Sequence, residues 1–297
     1  MNLASFPMLR IPLLALLLGA FASAGAQSGT IVIAHGGDSL WNSHVIDAAK
    51  AARTGGPVEV SFLMGPAAKT RRFQDAVAKL ERQGVSEIRV VPMLVSSHSG
   101  HFEQIRYLAG DSVKLDSAME HHLHMSGIER PSTKARMTLL PAMDDSPHVA
   151  RELADRALAL AKNPKERAVL IVGHGPNSAE DYAKWMKNLR PIADSVKAIG
   201  GFRDVRVELV RDDAPAEVRA EGVRQTRELI ELQRMATGQD VLVVPVLVSK
   251  GMVSRDKLPR DLAGMPMIYS YETLLPHPAM VRWIEARATG SLRSPAR

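Results

Sequence analysis

The sequence predicts an α/β protein of two tandem, duplicated domains, each a small parallel sheet flanked by helices. Three observations predict it. An apolar run ending in His-Gly occurs twice, at 31–36 and 169–175, so that His35-Gly36 and His174-Gly175 close two equivalent strands. A second run, Val-Val-Pro-x-Leu-Val-Ser, occurs at 90–96 and again at 243–249. These short β-branched runs alternate with helical stretches such as 69–83 and 217–235, which is the pattern of βαβ units around a parallel sheet.

Each remaining element has a counterpart in the other half. Between the His-Gly and Val-Pro runs lies a short strand, 58–64 before Pro66 and 205–211 before Pro215. Pro147-His148 and Pro276-His277-Pro278 each open a closing helix, expected at 149–161 and 279–288. The first domain is expected to span 27–163 and the second 164–297, joined near Asn163-Pro164-Lys165. The first half is longer by about 24 residues between its Pro92 and Pro147, which places an insertion near 109–136. The insertion is rich in histidine, with Met119-Glu120-His121-His122-Leu123-His124-Met125.

The first 26 residues have the form of a cleavable secretory signal. Arg10 precedes the apolar stretch 11–21, and Ala22-Ser23-Ala24 and Ala24-Gly25-Ala26 offer small-residue cleavage sites. The apolar run is too short to span a bilayer and Pro12 interrupts its start, so a periplasmic or secreted protein is expected, without membrane attachment after cleavage. The roughly 270 remaining residues suit two domains, each with its own core.

The chain contains no cysteine, which excludes iron–sulfur clusters, zinc–thiolate sites and disulfides. A metal must therefore use histidine, carboxylate, methionine or backbone. The net charge of +6 is spread along the chain, as in Lys69-Thr70-Arg71-Arg72, and aromatic residues are 4%. With no nucleic-acid motif and no phosphate-binding loop, this favours an acidic small molecule and implies neither nucleic acid nor nucleotide. The oligomeric state is not legible.

Ligands of open parallel sheets bind beyond the carboxyl ends of the strands. His35 ends the first expected strand, and His98 and His101 follow the strand containing Pro92, so one rim gathers two or three imidazoles. Imidazole is the commonest protein ligand for first-row divalent metals. In the second half Lys250-Gly251-Met252-Val253 follows the corresponding strand, and no such histidine is present. If the insertion is helical, His121, His124 and Met125 share a face and form a possible accessory metal site. The pairs Asp144-Asp145 and Asp212-Asp213 read as turn and cap residues.

The order of these motifs resembles the class II chelatases, the sirohydrochlorin cobalt- and ferrochelatases, in their two-domain long form. The matching features are strand-His-Gly, F-L-x-x-P at 62–66, V-V-P-x-L, a histidine leading a helix, and Pro276-His277-Pro278 before the last helix. Segment 251–259 is similar to the family's G-x-H-x-x-x-D-[IL]-P, with Val253 in place of histidine. The resemblance implies insertion of Co²⁺, Fe²⁺ or Ni²⁺ into a tetrapyrrole without ATP. It assigns the metal to His35 and to His101, with His98 in reserve, and it leaves His174 in a degenerate half. Arg71, Arg72 and Arg106 are candidates for the carboxylates of the macrocycle. Where the family commonly has a carboxylate after the second strand stands Met64, which moves that duty to Glu103 or to the insertion. The alternative is a periplasmic metal- or tetrapyrrole-binding protein that has lost turnover. A His-dependent phosphatase is disfavoured, because Ala34 and Gly173, not arginine, precede the two histidines.

Overall fold

The computed structural model describes residues 27–290, so the signal segment expected at 1–26 lies outside the described residues. The elements follow in the order β1 (Gln27–Ala34), α1 (Ser39–Ala51), β2 (Val58–Phe62), α2 (Phe73–Arg82), β3 (Val85–Met93), α3 (Gly100–Leu108), α4 (Ser117–Ser126), β4 (Arg136–Leu139) and α5 (Pro147–Leu160). The second half continues with β5 (Ala168–Gly173), α6 (Ala179–Gly200), β6 (Asp204–Leu209), α7 (Ala216–Thr237), β7 (Val241–Val246), α8 (Leu258–Asp261), β8 (Met267–Tyr269) and α9 (Pro278–Thr289). All strand pairings are parallel, in two sheets ordered β2-β1-β3-β4 and β6-β5-β7-β8.

The central strands are apolar on both faces because helices cover both. Ile31 to Ala34 and all of β5 and β7 are buried, as parallel sheets require. In each sheet the strand order reverses between the first and third strands, β1 and β3 or β5 and β7. At that switch point the loops diverge to opposite faces and leave a crevice. The helix expected over 69–83 begins only at Phe73. Pro66–Lys69 forms a 3₁₀ turn instead, and Arg72 is extended as the cap.

Between the two sheets lies a layer of helices, in which α5 packs on α6 and α9, and α1 packs on α9. One apolar cluster runs through it, from β1 and β3 to Trp185, Leu189, Trp283 and Ile284. The interface is also stitched by side chains that satisfy backbone carbonyls of the other half. Arg287 donates to Ala142 O (2.8 Å), Arg89 to Ala288 O (2.6 Å) and Trp185 Nε1 to His98 O (2.6 Å). Arg156 binds the fully buried Glu152 (2.7 Å) and also donates to Thr273 O and Pro276 O. Burial pushes the Glu152 carboxyl up to about 7, and the guanidinium opposes that rise.

Removing Arg156 would strand a buried carboxylate and two carbonyls at this seam. Arg156→Ala is expected to cost about 3–5 kcal/mol in equilibrium urea unfolding at neutral pH, and pairing it with Glu152→Leu should recover most of that loss. A loss below about 1 kcal/mol would show that the seam does not depend on this pair.

Candidate metal site in the interdomain cleft

The His-Gly sequence makes one specific turn in both halves. Gly36 has φ of 98°, and a Cβ there would lie 2.3 Å from Met64 O, so only glycine fits. The turn brings the Gly36 carbonyl back to His35 Nδ1 (2.8 Å). A carbonyl only accepts, so Nδ1 carries the proton and Nε2 keeps its lone pair. Burial, followed by weaker effects of the surroundings, holds the His35 pKa below the usual histidine value.

His101 is prepared in the same way by a different partner. It sits in the first turn of α3, which Ser99 caps by accepting from Phe102 N (3.2 Å). Its Nδ1 meets Gln104 Oε1 at 2.8 Å, and the Gln104 amide nitrogen donates to Met119 O at 2.7 Å. The second bond identifies the oxygen of this completely buried amide, so His101 Nδ1 donates and Nε2 is again bare. Burial first, then the neighbouring His35, lower the His101 pKa to about 4. The two rings meet edge to face with centroids 4.6 Å apart. Two neutral imidazoles, each with one nitrogen tied and the other free, form the arrangement of a metal site with its outer hydrogen bonds in place.

A third imidazole flanks them. His122 in α4 stacks on His101 at 6.1 Å and lies near enough to both His35 and His101 to oppose their protonation. The same helix exposes His121, His124 and Met125, so the structure does not bring the expected accessory set to the cleft. The face of α4 that turns inward is Met119, His122, Leu123 and Ser126, an i, i+3, i+4, i+7 series in which Leu123 is buried. That phase was the signal in the sequence that separated His122 from its neighbours.

The second half repeats the turn with the opposite charge. Gly175 (φ 82°) returns its carbonyl to His174 Nδ1 at 2.8 Å, but here Nε2 also meets a carboxylate, Asp213, at 3.0 Å. Both nitrogens face acceptors, so His174 is the imidazolium. Burial alone would depress its pKa, but Asp213 holds it above the usual value, while hydrogen bonding to His174 lowers Asp213 to about 2. His174 and Asp213 both act electrostatically on His35, which places them across the cleft from it.

The backbone explains why this carboxylate is there. Met64 N donates to His35 O, whereas in the second half Asp212 N donates to His174 O, because Arg211 (φ 53°) adds one residue. Asp212 therefore occupies the place of Met64, and Asp213 follows it into the cleft. Asp212-Asp213 lies in a turn, as expected, and Asp213 in addition pairs with His174. His174, Asp212 and Asp213 bring donor atoms within 4.8 Å of one another. This trio does not suit a cation, because Asp212 already binds Arg219 (3.1 Å) and Lys257 (2.7 Å) and His174 is charged.

The other expected residues lie elsewhere. The peptide of His98 is held by Ser96 and Trp185, and no ring contact joins its imidazole to His35. Glu103 pairs with Arg106 (3.0 Å) on the outer side of α3 and does not replace the carboxylate missing at Met64. Arg106 also binds Asp111 (3.0 Å), Arg72 binds Asp75 (2.7 Å), and Arg71 is exposed before α2. Arg72 and Arg106 are thus each paired with nearby carboxylates, whereas Arg71 is placed by its carbonyl, which accepts from Phe62 N at the end of β2. The arginines at the mouth come from the second half. Arg211 lies against Gly175 beside His174, and Arg255 reaches Asp38 of the first half at 2.8 Å.

Residues 29–160 match the family model CbiX. SirB from Bacillus subtilis with Fe³⁺ superposes with a TM-score of 0.60 at 16% identity, covering 89% of this chain and 97% of that one. SirB from Bacillus subtilis subspecies spizizenii in complex with cobalt gives 0.57 at 15% identity, covering 88% and 94%. CbiX, described as the terminal enzyme of sirohaem biosynthesis in denitrifying bacteria, gives 0.52 at 15% identity, covering 89% and 100%. No curated protein matches the sequence significantly. Residues 29–160 are thus similar to the CbiX family, and the chain as a whole has the two-domain α/β fold of these solved chelatase structures.

Proposed function

We propose that this protein is a metal chelatase that inserts a divalent ion, Co²⁺, Fe²⁺ or Ni²⁺, into a tetrapyrrole without ATP. The observation that carries the reading is the pair of edge-packed imidazoles at the switch point, His35 and His101, each with Nδ1 tied and Nε2 bare. Neutral at physiological pH, they hold the incoming ion and leave its remaining positions open for the macrocycle.

Insertion exchanges two pyrrole N–H protons for one dication. Asp213, ionised, 65% exposed and across the cleft from His35, draws the ion inward and passes those protons to water. It does from the second domain what a carboxylate at Met64 would do from the first. Arg211 and Arg255 at the mouth would serve the carboxylates of the macrocycle by exchange, Arg255 releasing Asp38 and Arg211 the carbonyls of Pro176 and Asn177. The location we propose is outside the cytoplasm, on the strength of the charged and then apolar first 26 residues. Met64 supports a second reading, a binding protein on the same scaffold.

Incubation with sirohydrochlorin and Co²⁺, followed by absorbance, separates the two readings. Acceleration over the uncatalysed rate is expected, and tight binding without acceleration would establish the binding protein. His35→Ala or His101→Ala should weaken Co²⁺ binding about 100-fold or more, equivalent to ~2.7 kcal/mol, as read by titration. His174→Ala and Asp213→Asn should instead leave Co²⁺ binding within about threefold and lower the insertion rate about tenfold or more. Equal loss of metal affinity in all four variants would contradict this division of roles.

The pH dependence has a definite sign. The His101 pKa is lowered, so its metal-binding neutral form persists above about 4 and is lost as pH falls through that value. Co²⁺ affinity should therefore stay nearly flat from pH 8 to 6. A loss centred near 6.5, the ordinary histidine value, would show that the imidazoles are not buried as described.

A further inference from the structure

The loop that carries His98 and leads into His101 is clamped by one carboxylate. Asp144, in the turn after β4, accepts from Ser97 N through Oδ1 (2.8 Å) and from Ser97 Oγ through Oδ2 (2.7 Å). The same hydroxyl accepts from Ala142 N (3.0 Å), and Asn188 of the second half donates to Asp144 Oδ1 (3.2 Å). The duplication supplies an internal control. In the first half Met143 N and Asp144 N donate to Leu94 O and Val95 O, and in the second Leu274 N and Leu275 N donate to Leu247 O and Val248 O. The backbone clasp therefore forms in both halves, and the place of Asp144 is taken in the second by the fully buried Leu275. Lys250, in the place of Ser97, pairs there with Glu272 (2.6 Å). The clasp itself does not need Asp144, whose carboxylate is present in the half where histidines follow the strand. Asp144 also has φ of 47°, and a non-glycine residue held in left-handed backbone is a mark of functional sites.

We infer that Asp144 is a positioning residue for the metal site, fixing the loop at Ser97 so that His101 meets His35. This rests on the metal-site reading above and adds to it the residue that sets the geometry. Between Ser97 and His101 the chain is held at every step. His98 N donates to Ser96 Oγ (3.1 Å), His98 O accepts from Trp185 Nε1 (2.6 Å), and Ser99 caps α3. With both oxygens of Asp144 on Ser97, the start of α3 has little freedom to move away from β1. A metal site whose ligands are all present but loosely placed binds weakly, because the outer bonds that orient the ligands are part of the site. Asn188 and Trp185 tie the same loop to the second half, so the seam and the spacing of the two imidazoles are set together. Asp144 also acts electrostatically on the buried Arg287, a role that its charge alone would fill.

The test uses the full chain and Co²⁺ alone, read by titration and by the visible d–d spectrum of the bound ion. Asp144→Gly suits the left-handed backbone and removes only the carboxylate. It should melt close to wild type, bind Co²⁺ about tenfold or more weakly, and show a shifted spectrum. Asp144→Asn keeps polar partners for both Ser97 groups and should stay within about threefold of wild type, with an unshifted spectrum. Equal loss in the Asn and Gly variants would show that Asp144 serves only to balance Arg287, and would overturn the inference. Ser97→Ala, which removes the 2.7 Å contact, carries the same test if Asp144→Gly does not fold, and should weaken binding about threefold with the same spectral shift. Wild-type affinity and spectrum in these variants, while His101→Ala still loses Co²⁺, would overturn the inference and leave the site of His35 and His101 standing. Normal Co²⁺ binding by His101→Ala would instead remove the metal-site reading itself.

Discussion

The packing of α1, α5, α6 and α9 between the two sheets is the constraint on which the cleft depends. Each strand-end loop is short, and each leans on the opposite half. Trp185 in α6 holds the loop carrying His98, and His44 in α1 meets Ser249 in the corresponding loop of the second half at 2.9 Å. These two contacts are related by the internal duplication, so the seam braces both rims together. Apolar burial supplies the attraction in this layer. The buried arginines supply the register, because a misplaced seam would leave carbonyls and Glu152 without partners.

Within that frame, one backbone turn gives two chemical outcomes. Positive φ at glycine aims a carbonyl at histidine Nδ1 in both halves, which fixes the tautomer without any side chain. What happens at Nε2 is then decided by the neighbouring residue. Beside His35 stands His101, another neutral ring, so both nitrogens stay open to a metal. Beside His174 stands Asp213, so the ring takes a proton and becomes half of an ion pair. The two halves differ at a few positions, Met64, Val253 and the residue added at Arg211, so that two similar rims form one cleft with a neutral side, which we propose holds the metal, and a charged side.

Much of this was legible in the sequence, for a physical reason. A strand buried on both faces is a continuous apolar run, and the repeats of such runs, together with the spacing of His-Gly, carried the sheets and the switch point. His35 and His101 followed because the ends of parallel strands are where ligands bind. Contacts between the halves were not legible. Asp213 acts on His35 only because the seam closes the cleft, and no local pattern states that angle. Nor was it legible that Arg72 and Arg106 pair with carboxylates three residues away, a choice that competes with any ligand as Asp38 does for Arg255. That His122, and not His121 or His124, faces inward was carried only by the apolar phase of its helix through Met119 and Leu123.

The measurement that bears most directly on this account is X-ray absorption at the cobalt edge of the Co²⁺-loaded protein. The account predicts a shell dominated by imidazole nitrogen at about 2.1 Å, with the multiple-scattering features of histidine rings. Those features should diminish together in His35→Ala and His101→Ala. An oxygen-only shell, or a histidine signature that survives the loss of both His35 and His101, would contradict it.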